Sequence, residues 1–183
     1  LNAAGAHAFK EEIHQLRDWY IAELKEKNVP IHMETEFTPD MADSGKYDTV
    51  ILAVGATPIM PASIEGIEKA ISAVELLENH SDVGETVVVV GGGMVGCETA
   101  VDLSKAGKKV TLVEALPAVL SSEYVTTAHK MMLQDMMEDQ KIEIMAAHKI
   151  VAVTDEGAVV EPTDGGERMT IPADKVVLSI GLE

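Results

Sequence analysis

The chain is poor in several residue types, and each scarcity narrows what it can be. It has one cysteine, Cys97, in 183 residues. An internal disulfide, a C-x-x-C redox pair and a cysteine-rich metal or cluster site are thereby excluded. Aromatic residues make up 3% against 46% apolar overall, so the core has to be built from Val, Ile, Leu, Ala and Met. Basic residues number 14 against 31 acidic ones, a formal net charge of −17. With no basic patch to displace counterions, nucleic acid and anionic membrane surfaces are poor partners. No apolar run approaches the roughly 20 residues of a membrane span. The opening LNAAGAHAFK has neither an initiator methionine nor the charged start of a signal peptide. The expectation is a cytoplasmic protein that partners neither nucleic acid nor membrane.

What is present is a strong alternation of elements. Residues 9–27 set Phe9, Ile13, Leu16, Tyr20 and Leu24 at helical spacing among charges, an amphipathic helix with one face to bury. Asn28 and Pro30 end it. VPIHMETEF then alternates like a strand, and YDTVILAVG reads as a strand buried on both faces. After the proline-punctuated GATPIMPASIEG, Ser72 and Glu75 form a capping box for a short helix, SAVELLEN. Residues 86–114 read strand, glycine turn, helix, strand: TVVVV, GGGMVG, CETAVDLSKAG, KKVTLVE. Ser121 and Ser122 are expected to cap a further helix running to about Gln140, with KIEIMAA the strand after it. HKIVAVT, AVVEP and ERMTIP, separated by Asp155-Glu156-Gly157 and Asp164-Gly165-Gly166, predict a three-stranded β-meander. KVVLSIG is the last strand. One pattern occurs twice: Asp48 to Gly55 and Asp174 to Gly181 share D-x-V-x-L-x-x-G, two strands ending in a glycine turn on either side of the glycine motif.

That motif is VVVVGGGMVGCETA. Gly91, Gly93 and Gly96 satisfy G-x-G-x-x-G: the first for the tight turn, the second for close approach of backbone to a pyrophosphate, the third for helix–strand packing. The helix N-terminus offers free N–H groups and its dipole to the phosphates. Such an attraction is local, so a strongly acidic chain can use it. Glu114 closes the next strand, eighteen residues after Gly96, where an acid accepts hydrogen bonds from the adenosine ribose. The bland alternative, an ordinary strand–turn–helix with a chance terminal Glu, has to account for all three features together. Glu114 would repel a 2′-phosphate, and ALPAVLSS beyond it carries no base, which favours NAD(H) over NADP(H).

On these residues the chain resembles the two-dinucleotide-domain flavoprotein reductases, the pyridine nucleotide–disulfide oxidoreductase superfamily. GGGMVGCETA resembles its NAD fingerprint, ILAVGATPIMP its A-T-G-x-x-P crossover with Val54 in place of the usual Thr, and DKVVLSIGLE its second crossover. The opening through FTPD is similar to the reductase portion of the 2-enoate reductase, 2,4-dienoyl-CoA reductase and trimethylamine dehydrogenase group of NADH:flavin oxidoreductases. The resemblance implies an α/β fold: a Rossmann-like parallel sheet with helices on both faces, a three-stranded meander, and an incomplete piece of a second, FAD-type domain. It divides the chain into a partial FAD-binding segment, 1–61, a crossover with a short helix, 62–83, and an NAD(H)-binding domain, 84–181. The FAD glycine motif, the barrel that carries FMN and substrate, and the 4Fe-4S cysteines of that group are not in this sequence. NAD(H) is the cofactor expected here, with FAD, FMN and 4Fe-4S belonging to the full-length parent.

By the same resemblance, NADH passes hydride to the FAD of the parent. Gly91, Gly92, Gly93, Met94 and Val95 hold the pyrophosphate, Glu114 the adenosine ribose, Glu98 sits by the nicotinamide, and Gly181 lies near the cofactor at the sheet's carboxyl edge; Gly96 and Ala115 complete the cofactor-binding set. No residue is assigned as catalytic and none as a metal ligand, since the chemistry is the cofactor's. His7, His14, His32, His80, His129 and His148 show no paired ligand spacing. Cys97, on the first helical turn, is expected to be a small buried packing residue rather than an activated thiolate. Met131, Met132, Met136 and Met137 are expected to fill core. The implied partners are the FAD and barrel portions of the parent polypeptide; homo-oligomerisation stays open, and the chain alone is expected to be inactive. Two other functions are compatible with the same motifs: part of a simple FAD/NAD reductase such as NADH oxidase or rubredoxin reductase, and a non-catalytic NADH-sensing Rossmann module.

Overall fold

The computed structural model describes residues 1–183. Its helices are α1 (Glu12–Glu26), α2 (Pro39–Ala42), α3 (Ala73–Asn79), α4 (Met94–Lys105) and α5 (Thr127–Asp139). Its strands are β1 (Ile71–Ser72), β2 (Thr86–Val90), β3 (Lys109–Val113), β4 (Glu143–Met145), β5 (His148–Thr154), β6 (Gly157–Pro162), β7 (Met169–Pro172) and β8 (Lys175–Leu178). Five strands form one parallel sheet in the order β1-β8-β2-β3-β4, and β5-β6-β7 form a separate antiparallel sheet. No helix is long and apolar enough to cross a membrane.

The central strand β2 is four valines after a threonine, and its alternation settles what covers each face. Val87 and Val89 pack with Val110, Leu112 and Val177 against α3, α4 and α5. Val88 and Val90 pack with Val113, Val176 and Leu178 against Val153, Ala158 and Val160 of the meander. The sequence predicts helices on both faces of the sheet; in the structure the helices take one face and the meander takes the other. Both faces are thereby dry, as a parallel sheet requires. The 62–83 segment joins this unit, since β1 pairs with β8 and Ala73 and Leu76 lie in the helix-side core. Ser72 caps α3 by accepting the Glu75 amide at 3.0 Å, as its sequence predicts.

Other expectations are corrected. VPIHMETEF and the 48–55 segment form no strand. Neither has a partner in the chain, and a lone strand cannot satisfy its own backbone. Helix α1 forms, but no residue of it is buried, and Leu16, Trp19, Tyr20, Ile21 and Leu24 are exposed. The helix expected from Ser121 and Ser122 starts later: Thr126 is its cap, accepting the His129 amide at 3.4 Å. Of the methionines, Met137 is buried and Met136 packs against the core, while Met131 and Met132 are exposed.

Candidate nucleotide-binding site

The three motif glycines are there for different physical reasons. Gly91 leaves β2 at φ +106, and a Cβ on it would lie 2.2 Å from the Ser179 carbonyl oxygen just past β8. A Cβ on Gly96 would lie 1.8 Å from the Gly91 oxygen, which is how close α4 packs to the turn. Both positions are glycine because the protein itself fills the space. Gly93 differs: its φ is −72, and a Cβ there would meet nothing within 4 Å. The protein has no use for that opening.

Gly93 is the N-cap of α4 and no side chain caps the helix. The first backbone bond is from Cys97 N–H to the Gly93 oxygen at 3.0 Å, so the Met94, Val95 and Gly96 amides precede the ladder. Chain order places the opening as well. β3 and β4 lie to one side of β2 and β8 to the other, making the carboxyl end of β2 the switch point where open α/β sheets bind ligands. A cavity of about 630 Å³ lies there, lined by Gly91, Gly93, Met94, Val95, Glu114, Ala115 and Gly181 of the predicted set, and by Ser179, His148, Lys149 and Pro58 besides. Glu114 is fixed at its edge. One carboxylate oxygen accepts the Gly92 amide at 2.5 Å and the other the Leu116 amide at 2.7 Å. The two crossovers meet at the rim, where Ile59 N–H donates to the Gly181 oxygen at 3.1 Å and Thr57 and Glu183 exchange bonds at 2.7 and 2.9 Å.

Residues 40–183 match the pyridine nucleotide-disulphide oxidoreductase family. The chain belongs to that family. Family membership makes it part of an oxidoreductase and implies a pyridine nucleotide and a flavin as cofactors. Among curated proteins it is 36% identical over 178 residues to a cinnamate reductase of Clostridium sporogenes, covering 97% of this chain and 26% of the relative. It is 35% identical over 189 residues to an NADH oxidase of Thermoanaerobacter brockii, covering 99% of this chain and 28% of the relative. The chain thus spans about a quarter of the length of these relatives. A solved 2-naphthoyl-CoA reductase complex shares the fold over 100% of this chain and 27% of its own, with a TM-score of 0.83 at 23% identity.

Within this family member, three predicted residues do not line the cavity. Gly92 and Gly96 act through backbone and packing, and Glu98 is buried on another face of α4. The Glu98 carboxylate lies 2.5 Å from Lys10 Nζ, 3.2 Å from His129 Nε2 and 3.8 Å from His7 Nε2. That cluster ties the N-terminal segment to the sheet unit, helped by Ala8 N–H donating to Asp102 at 3.1 Å. Cys97 is the packing residue its sequence position suggested. Burial, reinforced by the charges of Glu114 and Glu98, pushes its thiol up to about 12, which overrides any help from the helix dipole. Sequence reasoning missed His148 and Lys149. They come from the start of β5, far along the chain from the glycines, and reach the cavity because backbone bonds from His148 N–H to the Glu114 carbonyl oxygen, 3.0 Å, and from Ala147 N–H to the Leu116 oxygen, 2.9 Å, lay this stretch beside the end of β3.

Proposed function

We propose that the chain is the NAD(H)-binding part of a flavin-dependent reductase of the 2-enoate and dienoyl-CoA reductase kind, with the dinucleotide pyrophosphate over Gly93. One observation carries the reading: alone among the motif glycines, Gly93 faces space that no protein atom fills, at the uncapped N-terminus of α4. The residues fit such a ligand. The Met94 and Val95 amides bind the phosphates through local dipoles. A carboxylate has about four lone-pair sites, so Glu114 keeps capacity for ribose hydroxyls after accepting two amides. Gly181 and Ser179 close the carboxyl edge. When bound, NADH supplies a hydride for a flavin. The residues of this chain bind and orient it, and none is given a proton to move.

The group within the family is supported by coverage. The cinnamate reductase and the T. brockii NADH oxidase match over 97–99% of the chain. A nitric oxide reductase FlRd-NAD(+) reductase of Klebsiella pneumoniae and an NADH oxidase of Streptococcus pneumoniae match over 83% and 74%. FAD, and any FMN or iron–sulfur cluster, belongs in this proposal to other parts of the parent polypeptide, which are also the partners of the exposed face of α1.

Gly93→Val tests the reading cleanly. Its φ of −72 suits any residue and no atom lies within 4 Å, so the variant should fold like the parent. Calorimetric titration should show NADH binding to the chain and a loss of about tenfold or more in the variant. Unchanged affinity would remove the cradle.

A further inference from the structure

We propose that Glu161 sets the preference for an unphosphorylated adenosine ribose by keeping Lys149 occupied. This rests on the dinucleotide reading of the cavity and adds to it the residue pair that decides which dinucleotide. Lys149 is the only lysine or arginine lining the cavity, and Glu114 the only carboxylate. The lysine follows His148, whose backbone N–H bonds to the Glu114 carbonyl oxygen, and so lines the cavity that Glu114 lines from 35 residues further along the chain. The absence of a base in ALPAVLSS therefore does not by itself exclude a 2′-phosphate: a cation of the right kind is present from another element.

That cation is already engaged. Lys149 and Glu161 are register partners on β5 and β6, directly opposite on one face of the ladder. Lys149 Nζ lies 3.0 Å from one Glu161 oxygen, and Arg168 Nε donates to the other at 2.9 Å. The hydrogen bonds from Lys149 and Arg168 hold the Glu161 carboxyl below its ordinary range, so it is ionised wherever the nucleotide binds. An arriving 2′-phosphate would have to take Lys149 from Glu161 while facing the charge of Glu114. A plain ribose asks for neither. Because the pair is partly exposed, its hold is modest, about fivefold in affinity at most.

The test titrates NADH and NADPH into the full chain, Glu161→Gln, Lys149→Met and the double variant. Glu161→Gln should tighten NADPH binding by up to about fivefold and raise the NADPH-to-NADH affinity ratio; adding Lys149→Met should abolish the gain. If Glu161→Gln does not fold, Glu161→Thr, which places a good strand former there, carries the same comparison. An unchanged NADPH-to-NADH ratio overturns the proposal. So does a gain that survives in the double variant, which would be the diffuse effect of removing one charge from an acidic chain. If the unaltered chain binds neither nucleotide, the reading of the cavity falls and this inference with it; if it binds NADH and the ratio does not move, only the inference falls.

Discussion

Asp48–Gly55 and Asp174–Gly181 carry the same D-x-V-x-L-x-x-G pattern and meet opposite fates. The second contains β8, inserted between β1 and β2, with Val177 0% and Leu178 2% exposed. In the first, Ile51 is 85% and Leu52 70% exposed and no strand forms. Local preference cannot separate them, since β-propensity differences span only about 1 kcal/mol. Neighbours can. Each fully buried Val or Leu is worth roughly 1.5–3 kcal/mol, and β8 has three such residues while 48–55 has none. A parallel strand cannot recruit a neighbour through a tight hairpin, so a segment whose partners are not in the chain stays open however strand-like its sequence.

The largest test of this contrast is a matched pair of truncations. Leu178→Ala removes a buried core side chain and should cost about 2–5 kcal/mol in urea unfolding. Leu52→Ala, at the equivalent position, should stay within about 0.5 kcal/mol. A large loss at Leu52 would mean that 48–55 is buried in solution after all. Cys97 gives an independent readout. Its thiol, pushed up to about 12 and buried where α4 packs on the sheet, should react with a disulfide reagent only when the sheet unit opens. Leu178→Ala should speed that labelling by about 30-fold or more, and Leu52→Ala should not.

The same contrast explains what was legible in the sequence. The stretch from Ser72 to Gly107 reads correctly because cap, strand, turn and helix are all decided within a few residues of one another. The meander reads correctly because its turns are local, with Gly157 at φ +135 and Gly165 at φ +92. The misreadings are the elements whose outcome depends on distant chain. The 48–55 strand and VPIHMETEF lack partners, and the second face of the sheet is covered by hairpins in place of helices. Within the site, the glycines and Glu114 announce themselves through spacing, whereas Lys149 reaches the cavity only through the pairing of β5 beside Glu114. Glu98 shows the limit from the other side: its motif position was visible, but its burial with Lys10, His129 and His7 depends on where residues 1–10 fold back.

A smaller effect comes from the two terminal glycines of the repeated pattern. Gly181 has φ +120 and a Cβ on it would lie 3.3 Å from Ile59, while Gly55 has φ +83 and open space around it. A side chain at positive φ costs about 1–2 kcal/mol where the backbone is held there. Bonds from Ile59 N–H to the Gly181 oxygen, and between Thr57 and Glu183, hold that rim. Gly181→Ala should therefore lower the unfolding midpoint. Gly55→Ala should change it little, because an unpaired segment can relax and the substitution also narrows the unfolded ensemble. Equal losses would show that the first crossover is as firmly held as the second.

The smallest contrast lies at the head of the pattern and appears only in acid. The Asp174 carboxylate accepts the Glu85 amide at 2.8 Å, the Thr86 amide at 2.8 Å and the Thr86 hydroxyl at 2.9 Å. These bonds, those from Thr86 first, hold its carboxyl below the ordinary range. A carboxyl lowered by folding adds stability that is complete above its unfolded value and is lost as pH falls through its folded value. For an aspartate that window lies below about pH 4. Asp174→Asn should lower stability at neutral pH slightly and flatten the acid limb of the stability curve in that window. Asp48 accepts no hydrogen bond, and Asp48→Asn should leave stability at neutral pH unchanged. A loss at Asp48 as large as that at Asp174 would mean that the first segment finds, in solution, the neighbours that β8 has in the fold.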